Sequence, residues 1–215
     1  MYFYIGNSSN KSALKVTDQR SNRGHLFHEQ IFTSFLILEG SPLNFDAHLE
    51  RLKNSIRYLF SPSPQLVEEF ESLLLKKVME AINSHPFSQF YRGRIDVFPI
   101  SKSDKIYEIK NDLLQVKLEL TTIHKSSIWC EQPLHLSLIK REYDRNLPDY
   151  LKLPDYLNSF FFLRKENSEK KNIDDILYCD GQDNLLECTT SNIFFKKGQE
   201  ILTPPSSGKV LSGTV

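Results

Sequence analysis

Apolar residues between Phe45 and Leu59 recur at alternating steps of four and three, and this repeat restricts the fold more than any other feature of the sequence. Such spacing places the apolar side chains on one face of a helix, for which Asn44 is the expected N-cap. A second helix is predicted to begin at Ser63-Pro64, because serine is a favoured cap and proline is tolerated at the first helical position. We therefore expect two consecutive helices in this part of the chain.

After these helices the repeat changes to an alternation of apolar and polar residues, which is typical of strands with one wet face. Strands are predicted over residues 90–98, 114–120 and 134–139, followed by a helix from Pro154 to about Lys165 and by later strands separated at Asp180-Gly181 and Lys197-Gly198. Before the two helices, residues 26–39 are rich in Phe, Ile and Leu and lead into Gly40-Ser41-Pro42, which predicts a further strand and a turn. This order of elements predicts an α+β protein. A loss of periodicity over residues 121–132 predicts a small α/β domain over residues 1–121 and a carboxy-terminal domain over residues 122–215.

The balance of charge argues against a polyanionic partner. The chain has 27 Lys and Arg residues and 27 Asp and Glu residues, so its formal net charge is zero. No long-range electrostatic field would therefore attract it to nucleic acid or to an anionic membrane. No window reaches the roughly 18 apolar residues of a membrane span. Cys130, Cys179 and Cys188 are odd in number and widely spaced, which indicates neither a disulfide framework nor a zinc site. We expect a cytoplasmic protein.

Two basic residues have the chemistry of a site for a phosphorylated carbonyl compound. Arg51 follows His48 by three residues on the first predicted helix, and a guanidinium can bind a phosphate through two parallel hydrogen bonds. Lys152 directly precedes the predicted helix at Pro154, and a partly desolvated lysine amine can attack a carbonyl. On spacing alone, an ordinary surface side chain is the preferred interpretation of each residue.

Two carboxy-terminal segments offer complementary groups. Glu187 precedes a run of small polar residues, and a carboxylate that faces a pyridine nitrogen keeps that nitrogen protonated. The alternative for Glu187 is an acid at the end of a strand. The backbone N–H groups of Leu211-Ser212-Gly213-Thr214 can bind a phosphate, although a Gly-Thr pair alone is weak support.

The segments HLERL, YLKLPDYL, ECTTSNIFF, LTPP and VLSGT, in this order, resemble the class-IV aminotransferases, two-domain enzymes of fold type IV that bind pyridoxal 5′-phosphate (PLP). The resemblance extends over most of the chain. It implies that Arg51 binds the cofactor phosphate, that Lys152 binds the cofactor covalently and that Glu187 contacts the pyridine nitrogen. It also implies that Tyr156 lies near the phenolic oxygen of PLP and that Thr214 completes the phosphate site.

Three activities of this family fit the chain: 4-amino-4-deoxychorismate lyase, D-amino acid aminotransferase and branched-chain aminotransferase. Tyr156 follows Lys152 by four positions, which is similar to the first two branches, whereas branched-chain enzymes usually have one residue more. The D-amino acid branch typically has Arg-x-His before Phe-Pro, but here Asp96 follows Arg94 in place of the histidine. The segments IFTS and ECTTSNIFFKKG are most similar to the lyase branch, in which Ser34 is a candidate for proton delivery.

The resemblance therefore favours conversion of 4-amino-4-deoxychorismate to p-aminobenzoate and pyruvate by a homodimer, with an amino acid transaminase as the alternative. The substrate would be a small amine or amino acid, and nothing in the sequence indicates a metal. Family members typically have a glycine-rich string where this chain has residues 26–33, and they continue past the position of Val215. We accordingly expect an incomplete larger domain. A further alternative is a non-catalytic chain that retains the fold and acts as an interaction subunit by pairing with another chain.

Overall fold

The computed structural model describes residues 2–6, 28–87, 89–100, 113–124, 128, 132–141, 147–169, 172–206 and 209–214, the first of these ranges by backbone alone. Contacts between Cα atoms divide the chain into two compact units. Unit 1 comprises residues 1–129, 152–154 and 214, and unit 2 comprises residues 130–151, 155–213 and 215. The domain boundary at residues 121/122 stays a prediction.

Unit 1 is built from one antiparallel sheet and two helices in the part of the chain that the structure describes. Its elements are β1 (Tyr2–Gly6), β2 (Ile31–Leu38), β3 (Ser41–Pro42), α1 (Phe45–Phe60), α2 (Pro64–Asn83), β4 (Phe90–Pro99) and β5 (Leu113–Ile123). The strand order is β1-β5-β4-β2-β3. Helix α1 packs against β2, and α2 packs against β1. Both predicted helices and the strands predicted for this region are confirmed, although β2 begins later than expected.

The core of unit 1 lies between the sheet and the predicted apolar faces of the two helices. Leu52 and Ile56 of α1 are at most 1% exposed, and Phe70 and Leu74 of α2 are completely buried. Burial of side chains this large contributes roughly 1.5–3 kcal/mol each. The same burial fixes α1 against β2, which matters because both elements carry candidate site residues.

The two helix starts differ in their capping. The hydroxyl of Ser63 accepts a hydrogen bond from the backbone N–H of Leu66 at 3.3 Å, so the predicted cap of α2 is confirmed. Asn44, in contrast, has a φ of 49° and makes no capping hydrogen bond through its side chain. Asn44 thus occupies the predicted N-cap position of α1, but its side chain does not cap the helix, because its left-handed backbone is not the extended conformation from which a side chain reaches the first N–H groups.

Unit 2 contains a small mixed sheet, one helix and a hairpin among its described residues. The elements are β6 (Leu136–Lys140), α3 (Leu157–Ser168), β7 (Asp175–Cys179), β8 (Leu185–Cys188), β9 (Phe195–Lys197) and β10 (Glu200–Leu202). Strand β7 pairs in parallel with β6 and antiparallel with β8, and β9 pairs antiparallel with β10. The turns predicted at Asp180-Gly181 and Lys197-Gly198 are confirmed.

Helix α3 begins later than predicted and is largely solvated. It begins at Leu157 rather than Pro154. The carbonyl of Lys152 accepts a hydrogen bond from the backbone N–H of Phe32, so the backbone at this point is bound to unit 1 and does not begin a helix. No side chain of α3 is buried, and Leu157 and Phe161 are 73% and 58% exposed.

Two further observations concern the cysteines and the length of the helices. Cys179 and Cys188 are buried free thiols, and Cys130 lies outside the described residues. Within the ranges given above, every helix is too short or too polar to cross a membrane.

Candidate functional site

Lys152 is fixed against β2 through both its backbone and its side chain. Its carbonyl accepts the hydrogen bond from Phe32 at 3.2 Å, and its Nζ lies 5.0 Å from the centroid of the Phe32 ring. An ammonium at this distance from an aromatic ring is within the range of a cation–π interaction. Lys152 is half-buried. The position therefore differs from that of a freely solvated surface lysine, and it holds the amine at the amino-terminal end of β2.

Arg51 is buried, which its spacing alone did not distinguish from a surface position. It lies on α1 and is 7% exposed. Its backbone carbonyl accepts a hydrogen bond from the Ser55 hydroxyl at 2.7 Å, one turn further along the helix. Because a guanidinium stays charged in proteins, its burial concentrates a positive charge inside unit 1.

Both of these basic residues affect the pKa of the buried His48. The Nδ1 atom of His48 lies 2.7 Å from Oγ1 of Thr33 on β2, and both side chains are buried. Burial of the imidazole, together with the positive charges of Arg51 and Lys152, lowers the pKa of His48 to about 4. His48 is therefore neutral at physiological pH. The two cations that act on it form a positive region suited to an anion such as a phosphate.

The depressed pKa of His48 predicts a loss of stability in mild acid. The unfolded chain binds a proton at His48 below about pH 6.5, whereas the folded chain does so only near pH 4. Between these values the unfolded state holds more protons, so the free energy of unfolding falls as the pH falls, by up to about 3 kcal/mol. Urea unfolding of the wild-type chain and of a His48→Asn variant between pH 7 and pH 4.5 measures this difference. Parallel pH profiles for the two proteins would contradict it.

Ser34 lies on the same face of the sheet as the residue that contacts Lys152. It follows Phe32 by two positions on β2 and pairs with Arg94 on β4. Side chains that are directly opposite on adjacent strands point to the same side, as do residues two apart on one strand. Ser34 is half-buried, and its role in proton delivery stays a prediction.

Arg94 stacks on the ring of Phe32 and is held by an acid. Its guanidinium carbon lies 4.0 Å from the centroid of the Phe32 ring. Its Nε and Nη2 donate to both carboxylate oxygens of Asp96 at distances of 2.7–3.1 Å. The side chain of Asp96 is 5% exposed. The Arg94 fork is thus already occupied by a buried carboxylate.

Glu187 is held in unit 2 by a backbone group and by an arginine. Its Oε2 accepts a hydrogen bond from the backbone N–H of Leu211 at 2.9 Å, and its Oε1 lies 3.5 Å from Nη2 of Arg141. Both side chains of this ion pair are 13% exposed. Arg141 also stacks on Tyr178 at 4.5 Å. Arg141 was not predicted as a site residue, because Glu187 is 46 residues away in the chain and no local pattern connects the two.

The structure places the remaining candidates in different surroundings. Tyr156 occupies the N-cap position of α3, and its ring stacks on Phe160 with centroids 5.5 Å apart. Thr214 is half-buried and groups with unit 1, although the preceding residue Gly213 groups with unit 2. Of the predicted site residues, unit 1 contains Ser34, Arg51, Lys152 and Thr214, and unit 2 contains Tyr156 and Glu187.

Comparison with known structures defines the type of fold. A fold IV-transaminase from Curtobacterium pusillum matches with a TM-score of 0.72 and 16% identity, over 94% of this chain and 68% of that chain. A proposed 4-amino-4-deoxychorismate lyase of Legionella pneumophila matches with a TM-score of 0.68 and 22% identity, over 94% and 71%. The branched-chain aminotransferase of Thermoproteus uzoniensis matches with a TM-score of 0.72 and 17% identity, over 99% and 70%. The chain has the α+β architecture of the fold-type IV PLP enzymes.

Sequence comparison extends this result from the fold to the family. The profile described as amino-transferase class IV matches residues 30–215. A proposed branched-chain-amino-acid aminotransferase of Rickettsia typhi is 29% identical over 148 residues, which are 65% of this chain and 51% of that protein. This chain thus spans about half the length of the curated relative that it matches. It belongs to the class-IV aminotransferase family.

Proposed function

We propose that the chain is a PLP-dependent lyase that converts 4-amino-4-deoxychorismate to p-aminobenzoate and pyruvate. The observation that supports PLP binding most directly is that unit 1 contains a buried guanidinium, that of Arg51, and a half-buried amine, that of Lys152, whose Nζ is held 5.0 Å from the Phe32 ring. A guanidinium for a phosphate dianion and an amine for an aldehyde are the two groups that PLP requires of unit 1. The residues present therefore fit this cofactor.

Each remaining candidate has a role toward the same cofactor. The carboxylate of Glu187 keeps the pyridine nitrogen protonated, the hydroxyl of Tyr156 binds near the phenolic oxygen, and Thr214 contributes to the phosphate site. When bound, PLP captures the substrate amine covalently and withdraws electrons from the adjacent carbon. Arg141 and the backbone N–H of Leu211 hold the Glu187 carboxylate in place for this role.

Lys152 also serves as the base. In this role the neutral amine of Lys152 would remove the proton from the substrate carbon that bears the nitrogen. Ser34, on the sheet face that carries Phe32, supplies a hydroxyl for delivery of a proton. Loss of this proton would be coupled to cleavage of the bond between the neighbouring ring carbon and the enolpyruvyl oxygen, so that the ring becomes aromatic. The enolate that leaves would take up a proton to become pyruvate.

The environment of Arg94 favours the lyase over the D-amino acid aminotransferase. In the D-amino acid branch an Arg-x-His string binds a substrate carboxylate. Here Asp96 occupies the fork of Arg94, so this guanidinium is less available to a second carboxylate. The four-residue step from Lys152 to Tyr156 is similar in both of these branches and argues only against the branched-chain enzymes.

A second candidate function is supported by the Rickettsia typhi relative, which is proposed to be a branched-chain-amino-acid aminotransferase. Under this alternative the same residues bind PLP, and an amino acid donates its amino group to a 2-oxo acid. The non-catalytic alternative predicts instead a colourless protein whose melting temperature does not change when PLP is added. We also propose that the chain assembles as a homodimer, which the family resemblance implies.

One pair of assays separates these functions. The purified chain, saturated with PLP, is incubated either with 4-amino-4-deoxychorismate or with a branched-chain amino acid and 2-oxoglutarate. We expect pyruvate and p-aminobenzoate in the first assay and no glutamate in the second. Glutamate in the second assay without pyruvate in the first would replace the lyase by the transaminase. Failure of both, with no change in melting temperature on addition of PLP, would support the non-catalytic chain.

A further inference from the structure

The ends of two parallel strands in unit 2 meet around Lys209. Strands β6 and β7 pair in parallel up to Lys140 and Cys179, and the backbone N–H of Arg141 donates to the carbonyl of Cys179 at 2.8 Å. Arg141 and Asp180, the next residue on each strand, therefore lie side by side at the carboxyl end of the sheet. Their side chains bind Lys209 at two different points.

Lys209 is bound through both its side chain and its backbone. Its Nζ lies 3.1 Å from Oδ2 of Asp180, and its carbonyl accepts a hydrogen bond from Nη1 of Arg141 at 3.0 Å. The side chain of Asp180 is only 10% exposed, whereas that of Lys209 is 39% exposed. Partial burial makes such a pair stronger than one that is fully solvated.

Asp180 is a rigid partner because the β7–β8 turn closes around it. Its Oδ1 accepts hydrogen bonds from the backbone N–H groups of Gln182 and Asn184 at 2.9 and 3.0 Å, and the Asn184 side-chain amide also donates to it. The Asn184 side chain, followed by these backbone groups and Lys209, holds the pKa of Asp180 well below its usual range. The carboxylate is therefore ionised at every physiological pH.

Every residue from Lys209 to Ser212 is fixed in turn. Val210 is 4% exposed and packs in the small core of unit 2 with Ile176, Tyr178 and Leu186. Leu211 donates its N–H to Glu187 and accepts from the side-chain amide of Asn192 at 2.8 Å. The N–H of Ser212 donates to the carbonyl of Asp149 at 2.8 Å. The next two residues are Gly213 and Thr214.

We infer that the Asp180–Lys209 ion pair positions the backbone that leads to Thr214 and thereby sets the affinity of the chain for the cofactor phosphate. This inference rests on the proposed function, in which Thr214 contributes to the phosphate site. Asp180 and Lys209 are positioning residues, because they act through the segment that they anchor. Precise placement matters because a displacement of a hydrogen-bonding backbone by a fraction of an ångström weakens a binding site.

A second ion pair on the same turn provides a matched control. Nζ of Lys140 lies 3.4 Å from Oδ1 of Asp183, and these side chains are 51% and 83% exposed. The pair has the same chemistry and belongs to the same turn, but neither residue contacts the segment 209–212 in the hydrogen bonds and ion pairs of the described residues. Exposed pairs of this kind contribute little to stability.

The experiment compares Lys209→Met, Lys209→Arg and Lys140→Met with the wild-type chain, using PLP and the unphosphorylated pyridoxal as probes. Absorbance titration gives the dissociation constant of each probe, and borohydride reduction with peptide mapping identifies the labelled lysine. We expect Lys209→Met to weaken PLP binding about fivefold to tenfold and to leave pyridoxal binding unchanged. Lys209→Arg restores PLP binding, and Lys140→Met changes neither constant.

Several outcomes overturn the inference. If Lys209→Met and Lys140→Met bind PLP with equal affinity, Lys209 has no positioning role. If Lys209→Met loses the same affinity for PLP and for pyridoxal, Lys209 has a general structural role instead. Because Lys209→Met leaves Asp180 without its cation, the titration is repeated at high salt, where long-range repulsion is screened. If the loss of PLP affinity in Lys209→Met disappears at high salt, its cause is long-range repulsion, and the ion pair does not position the backbone. A wild-type chain in which neither probe labels Lys152 refutes the proposed function itself, and the inference with it.

Discussion

Replacement of Lys152 by alanine is expected to eliminate covalent capture of PLP and to lower any lyase or transaminase activity by at least about 100-fold. The physical reason is that no other side chain is assigned both the reactive amine and the proton transfer. Borohydride reduction of the PLP-saturated chain, followed by peptide mapping, places the label in the peptide that contains Lys152. The variant should still fold, because the hydrogen bond from Phe32 is accepted by the backbone carbonyl of residue 152.

The control for this experiment is Lys140→Ala, which removes an exposed lysine at the end of β6. That variant should retain the label, the colour and the activity. Lys152→Arg tests charge separately from reactivity, because a guanidinium stays protonated and does not attack an aldehyde. If Lys152→Ala protein still carried a reducible PLP adduct, a different lysine would hold the cofactor and the proposed site would be wrong.

Replacement of Arg51 by glutamine is expected to weaken PLP binding by a factor between about 10 and 100. The change removes a buried guanidinium and with it the charge-assisted hydrogen bonds that a phosphate dianion would receive. It also removes one of the two positive charges that act on His48, so the pKa of His48 should rise above its value of about 4. Absorbance titration with PLP measures the first effect, and NMR titration of the imidazole measures the second.

Arg57 supplies the matched control on the same helix. It is exposed in the last turn of α1, and its Nη1 donates to Asn54 at 3.1 Å. Arg57→Gln should change neither the affinity for PLP nor the pKa of His48. Identical PLP affinities for Arg51→Gln and Arg57→Gln would show that Arg51 does not bind the phosphate. An unchanged pKa of His48 in Arg51→Gln would show that the two side chains are not electrostatically coupled.

The helices of unit 1 could be predicted because their signals are local. The apolar steps along α1 lie on one face of a helix, and Ser63 with Pro64 marks the start of α2 within two residues. The start of α3 was predicted too early for the opposite reason. Lys152 is hydrogen-bonded to Phe32, and nothing in the sequence around Pro154 reveals that distant partner.

The environment of the candidate site residues could not be predicted from spacing. Arg51 looked like a surface arginine, and its burial arises from the packing of α1 on β2. Arg141 and Lys209 are 68 residues apart, and only the pairing of β6 with β7 brings Arg141 to the end of the sheet. What the sequence does contain is the order of the family segments, which singled out Lys152 and Glu187 before any contact was known.

The position of Lys152 also has a consequence for the order in which the chain acquires its chemistry. Lys152–Pro154 group with unit 1, whereas Leu151 and Asp155 on either side group with unit 2. The contact between Phe32 and Lys152 closes a very long loop, and such contacts form late in folding because of their entropic cost. During synthesis the strands and helices of unit 1 emerge long before Lys152 does. We therefore expect that Lys152 reaches its place beside β2 late in folding, after most of the sheet has formed. Only then can the chain bind an aldehyde through this lysine.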